Sequence, residues 1–133
     1  MLKLTRKTEY SLIALRHMQV TGSGSIVSTR EISDRYRIPY PLLAKILQEL
    51  ARKGIVKPVQ GPRGGYRLQA NLEEITLREF FEKMEGPLGI MDCHFHSNCE
   101  IVETCNIRSP IRQINDNMRN LFENMTVFDI TGL

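Results

Sequence analysis

The sequence predicts a mainly α-helical chain carrying one small β hairpin, and three observations lead there. Apolar residues recur at three- and four-residue steps behind Thr5, Ser28, Pro39 and Thr76, all residues suited to helix starts. A single Gly- and Pro-rich turn, Gly61-Pro62-Arg63-Gly64-Gly65, separates two short strand-like runs. All three cysteines crowd into one stretch between the last two helical patterns. At 133 residues the chain is most simply one domain, or one small domain with an appended helix.

In chain order, Thr5 caps a helix running to about Val20, with Tyr10, Ile13, Ala14 and His17 on one face and Leu12 and Leu15 widening it. His17 on that face reads as a satisfied core histidine rather than a ligand. Thr21-Gly22-Ser23-Gly24-Ser25 then breaks the pattern. Ser28-Thr29-Arg30-Glu31 has capping-box spacing and announces a helix of about two turns that carries Ile32 and Tyr36 and ends at Arg37-Ile38. Pro39 and Pro41 fit the first turn of a third helix, where a missing N–H costs nothing. In that helix Leu42, Leu43, Ile46, Leu47 and Leu50 are expected to face inward, with Tyr40, Ala44, Lys45, Gln48 and Arg52 outward.

A short helix, a tight turn and a second helix with a polar outer face is the arrangement that lays one helix in a DNA major groove. Gly54 stops that second helix. The stretch Ile55 to Leu68 then reads as two strands around the Gly-Pro turn, with Pro58 confining the first strand to an edge. An arginine, Arg63, on a glycine-lined tip beside a basic helix suits a wing that reaches a phosphate backbone or a minor groove. The fold class is therefore a winged helix-turn-helix domain followed by a long C-terminal helix.

Charge supports that division. Residues 1 to 67 hold 13 Lys and Arg against 4 acids, net +9, and residues 68 to 133 hold 5 against 11, net −6, which together give the formal +3. A basic half joined to an acidic half points the first toward a polyanion.

Beyond the wing, Thr76-Leu77-Arg78-Glu79 has capping-box spacing and opens a helix with Leu77, Phe80, Phe81 and Met84 on one side, expected as core. Glu85-Gly86-Pro87 ends it. The last helix carries Ile107, Ile111, Ile114, Met118, Leu121 and Met125 in alternating steps of four and three, a seam suited to a partner helix, with packing on its own domain as the rival. The tail from Thr126 gives no signal. The expected boundaries are 1–85 for the DNA-binding domain, 86–106 for the cysteine loop, and 107–133 for the dimerisation helix and tail.

The cysteines Cys93, Cys99 and Cys105 form a C-x5-C-x5-C pattern. An odd number in one loop is ill suited to a closed disulfide framework, and crowded thiolates are soft ligands for zinc, copper(I) or an iron-sulfur cluster. The spacing alone leaves open a cluster, zinc, redox thiols and buried small apolar residues. No run approaches the roughly 18 apolar residues of a membrane span and no signal peptide opens the chain, so a cytoplasmic site, where free thiols persist, is expected. No motif marks an enzyme or a small-molecule substrate.

These residues resemble a known family. Ile38-Pro39, Leu42-Leu43, Lys45-Ile46-Leu47, Leu50, Gly54-Ile55-Val56 and Gly61-Pro62-Arg63-Gly64-Gly65-Tyr66, with the opening Leu4-Thr5 and Glu9-Tyr10, are similar to the Rrf-type winged-helix transcription regulators. That family includes IscR-like iron-sulfur regulators and NsrR-like repressors, and its members carry three cysteines at this spacing between the wing and a long final helix. The resemblance implies a homodimer bound to a double-stranded DNA operator, with a 2Fe-2S or 4Fe-4S cluster tuning that binding. The implied metal ligands are Cys93, Cys99, Cys105 and Glu9, the last because its position matches an acidic residue that some members supply from the opposite protomer. His94, His96, Glu100 and Glu103 are the local alternatives, His96 first among them. The expected DNA-binding residues are Ser28, Thr29, Arg30, Pro39, Tyr40, Pro41, Lys45, Arg63 and Gly64. Two positions depart from the family: Gln60 stands where many members have an arginine, and Asn106-Ile107-Arg108 stands where some place a histidine ligand.

Overall fold

The computed structural model describes residues 4–22, 24–89 and 106–132. Its elements run α1 (Arg6–Thr21), α2 (Thr29–Tyr36), α3 (Tyr40–Arg52), β1 (Val56–Val59), β2 (Gly65–Leu68), one 3-10 turn (Leu72–Glu74), α4 (Leu77–Glu85), α5 (Arg108–Glu123) and α6 (Val127–Thr131). This is the mainly helical chain with a two-stranded wing that the sequence predicts.

Side-chain caps fix most helix starts. The hydroxyl oxygens of Thr5, Ser28 and Thr76 accept N–H bonds from Thr8, Glu31 and Glu79, each satisfying a donor the helix leaves free, for roughly 1 kcal/mol apiece. The reciprocal arms of the two expected capping boxes are spent elsewhere: the Glu31 carboxylate goes to His17, and that of Glu79 pairs with Lys83 one turn on. A reciprocal box does occur at α6, where Thr126 and Asp129 cap each other at 3.2 and 2.8 Å. This final helix, unmarked in the expected boundaries, is no idle tail. Val127 is fully buried, its N–H bonds to the Ile75 carbonyl, and the Leu77 N–H bonds to the Met125 carbonyl.

The core gathers Ala14, Leu15 and Met18 of α1, Ile32 of α2, the inner row of α3, Ile55, Val56, the apolar side of α4 and Val127. Burying each of the large aliphatic side chains stabilises by roughly 1.5–3 kcal/mol. In α3 the inner row is Leu43, Ile46, Leu47 and Leu50. Leu42, expected to face inward, is 38 % exposed. Adjacent helical residues point about 100° apart, so once Leu43 lies at the centre of the buried face Leu42 is turned to its outer edge.

The strands pair antiparallel as Val56 with Leu68, Lys57 with Arg67, Pro58 with Tyr66 and Val59 with Gly65. Tyr66 also exchanges backbone hydrogen bonds with Val27, so β2 lies between Val27 and β1 and leaves Pro58 on the outer edge. At the tip Gly61 adopts φ +113°, open to glycine, and its carbonyl accepts from the Gly64 N–H at 2.9 Å.

The apolar seam of α5 divides. Ile111, Met118 and Met125 are half-buried, whereas Ile107, Ile114 and Leu121 are 48, 50 and 57 % exposed and stand seven residues apart. Phe122 turns α5 toward its own domain by meeting Phe81 edge-on, ring centroids 5.1 Å apart, and Arg119 donates to the Leu88 carbonyl at 3.0 Å. No described helix is long and apolar enough to cross a membrane.

Candidate nucleic-acid interface

The turn between α2 and α3 is built around Ser33. Its carbonyl accepts the N–H groups of both Arg37 and Ile38, and its buried hydroxyl donates to the Ile38 carbonyl at 2.6 Å. Arg37 adopts the left-handed conformation, φ 55° and ψ 42°, that reverses the chain. Ile38, 2 % exposed, anchors the turn in the core.

His17 fixes this unit to α1. Its Nδ1 lies 2.8 Å from the Tyr36 hydroxyl and its Nε2 2.5 Å from Glu31 Oε2, so one ring, 9 % exposed, grips both ends of α2. A satisfied core histidine is what the sequence predicts here; that it spans α2 end to end depends on packing between helices far apart in sequence.

The outer surface carries the expected contact residues. Ser28 and Thr29 are half-buried at the start of α2, and Arg30 is exposed with its guanidinium 5.2 Å from the centre of the Tyr40 ring. Pro39, Tyr40 and Pro41 are exposed around the first turn of α3, and Lys45 is exposed one turn on. Arg63 is exposed at the wing tip. A Cβ on Gly64 would lie 2.3 Å from the Val59 carbonyl oxygen, which explains glycine there. A Cβ on Gly65 would sit 2.3 Å from the Val27 carbonyl oxygen and 2.9 Å from Ser28 Cα, so the base of the wing rests against the start of α2. The structure thus joins Arg30 to Tyr40 and the wing to Ser28.

Exposed cations without a described acidic partner are concentrated on this surface, with Arg16, Arg108 and Arg112 the others on α1 and α5. Arg30, Arg35, Arg37, Lys45, Arg52, Lys57, Arg63 and Arg67 are all exposed, and none pairs with a described acidic residue. The paired cations are Arg6, Lys7, Lys53, Arg78 and Lys83. Cations left without acids are available to phosphates, where each releases counterions on binding. Arg35, Arg37, Arg52, Lys57 and Arg67 are absent from the expected contact set, and the period-two alternation of the wing strands was the signal for the last two.

Of the expected metal ligands, Cys93, Cys99 and Cys105 lie outside the described residues, as do His94, His96, Glu100 and Glu103. Glu9 is described: its side chain is 49 % exposed and pairs with Arg6 at 3.2 Å. One turn before it, the Thr5 N–H donates to Glu85 Oε1 at 2.6 Å. Leu4, Thr5, Glu85, Leu88 and Gly89 line a single cavity of about 360 Å³ with Phe81, Met118 and Phe122. The first turn of α1 therefore stands beside the residues from which the cysteine stretch departs.

A helix-turn-helix braced by a two-stranded wing, with its cations unpaired, defines a winged-helix transcription regulator. The chain belongs to the Rrf2 family, described as iron-dependent transcriptional regulators, whose model matches residues 4–132. It is 28 % identical over 131 residues to the HTH-type transcriptional regulator NsrR of Shouchella clausii, covering 97 % of this chain and 88 % of that protein. Among solved structures it resembles CymR, the global cysteine regulator of B. subtilis, with a TM-score of 0.76 at 23 % identity over 98 % of this chain and 97 % of that one. It likewise resembles T. potens IscR, with a TM-score of 0.73 at 22 % identity over 97 % and 85 %.

Proposed function

We propose that this chain is a cytoplasmic, homodimeric regulator that binds a double-stranded DNA operator under the control of an iron-sulfur cluster, and that it is not an enzyme. The observation that carries the DNA half is the set of exposed cations without acidic partners on α2, α3 and the wing. In this reading the first two turns of α3, from Pro39 through Lys45, enter the major groove; Ser28, Thr29 and Arg30 meet the adjacent backbone; and Arg63 with Gly64 carries the wing to phosphate or minor groove.

Cys93, Cys99, Cys105 and Glu9 would hold the cluster. Three thiolates and one carboxylate are a donor set that iron accepts, and among the described residues the half-exposed Glu9 carboxylate pairs only with the surface Arg6. When bound, such a cluster supplies irons that react with oxidants or nitric oxide. This chain's own part is to hold the group between the wing and α5, next to the first turn of α1, so that its loss reaches both the reading domain and the exposed row of α5.

The alternative uses the same cysteines as a zinc or thiol switch. It keeps its place because the C-x5-C-x5-C spacing suits a single ion as well as a cluster. A visible spectrum of the anaerobically purified protein separates the two. Brown protein with sulfur-to-iron bands is expected; colourless protein with one zinc per chain would install the alternative.

A further inference from the structure

Lys57 and Arg67 stand directly opposite each other on the two strands of the wing, and both are exposed. Directly opposed side chains of an antiparallel pair share one face with Cβ atoms roughly 4.5–5.5 Å apart, where like charges destabilise the hairpin. Neither cation has a described acidic partner to relieve the repulsion. Charge on a hairpin often serves to keep its edge from pairing with another strand. Here part of that work is done without charge, because Pro58 removes an edge N–H from β1 and Val27 pairs with Tyr66 on the far side of β2. The like-charged pair remains an electrostatic cost to the free protein.

We propose that Lys57 and Arg67 form a phosphate clamp, jointly holding a backbone phosphate of duplex DNA against the stem of the wing. The proposal rests on the duplex-DNA reading above and adds a contact absent from it. One anion between two cations cancels their repulsion and gains charge-assisted hydrogen bonds, with the arginine fork matching two phosphate oxygens and the lysine acting as a point charge. At a rise of about 3.3 Å per residue the clamp lies roughly 7 Å below the Val59–Gly65 pair that ends the ladder, and Arg63 stands beyond it in the tip. The wing then meets the DNA backbone at its stem as well as at its tip.

A phosphate contact is independent of sequence, so a duplex of random sequence is a sufficient probe. Binding of the anaerobically purified full chain is measured from about 50 to 200 mM salt for the wild type, for K57Q/R67Q, and for the charge-matched K83Q/R112Q, whose sites lie on α4 and α5. The clamp predicts that the log–log salt slope of K57Q/R67Q falls by about 1 unit, with affinity at least tenfold weaker at 0.1 M salt, while K83Q/R112Q keeps the wild-type slope. It also predicts that K57Q/R67Q unfolds at a Tm equal to or above the wild type at low salt, because a repulsion has been removed. An unchanged slope in K57Q/R67Q, an equal fall in K83Q/R112Q, or a lowered Tm in K57Q/R67Q would each overturn the clamp while leaving DNA binding standing. Failure of the wild type to bind any duplex would overturn the DNA-binding reading itself, and the clamp with it.

Discussion

Val27 and Tyr66 exchange two backbone hydrogen bonds, each 2.8 Å long, and so seat the wing on the residue just before the cap of α2. Gly65 is the residue that lets them approach. Any side chain there would meet the Val27 carbonyl and Ser28 Cα, backbone atoms that cannot swing aside. Gly65→Ala is expected to lose about 1–3 kcal/mol in denaturant unfolding and to weaken DNA binding by displacing the wing. Wild-type stability in this variant would show that the seat is softer than the geometry states.

Arg63 and Lys45 test the two kinds of DNA contact. Arg63→Ala is expected to weaken binding to every duplex alike and to lower the salt slope by about one unit; an unchanged affinity and slope would remove Arg63 from the interface. Lys45→Ala should instead erase discrimination worth roughly 1–3 kcal/mol between a selected duplex and its base-substituted forms. An equal loss on every sequence would make Lys45 a phosphate contact.

Ile114 and Leu121, exposed and one heptad apart on α5, are expected to meet the same helix of a second copy. Ile114→Glu with Leu121→Glu would put like charges into that contact and should give monomers that bind half-sites poorly. An intact dimer by light scattering would show that α5 serves its own domain alone.

Glu9 and His96 are the rival candidates for the fourth position on the proposed cluster. Glu9→Ala is expected to keep the fold and the dimer while the visible bands decay faster in oxygen, because a carboxylate is the hardest ligand of the set and the iron it holds the most labile. His96→Ala should change little. Wild-type decay in Glu9→Ala together with cluster loss in His96→Ala would make the loop histidine the ligand.

What could be read from the sequence was local. Thr5, Ser28 and Thr76 announce their helices because a cap and the N–H it satisfies lie three residues apart. The Gly-Pro turn announces the wing for the same reason. Glu31 and Glu79 fit the box pattern but answer to His17 and Lys83, partners that spacing does not rank. Leu42 shows the limit of counting apolar residues, since Leu43, Ile46, Leu47 and Leu50 set the buried face of α3 and leave Leu42 at its outer edge. Thr126 and Asp129 carried a readable box at α6, yet five residues hold a helix only because Ile75 and Leu77 bind the chain around them, and that pairing spans some fifty positions. Of the candidate site, the outward placement of Lys45 and Arg52 followed from helix periodicity, whereas Arg35, Arg37, Lys57 and Arg67 were not singled out. The like-charged cross-strand pair did not follow, because it exists only once the register is known.

The meeting of Thr76 with Thr126 imposes an order on biosynthesis. Val127 fills a fully buried place beside Ile75 and Leu77, so that part of the core stays wet until residue 127 has left the ribosome. By then Cys93, Cys99 and Cys105 have all been made. On each nascent chain the three cysteines are thus translated before Val127 can complete the core beside Ile75 and Leu77.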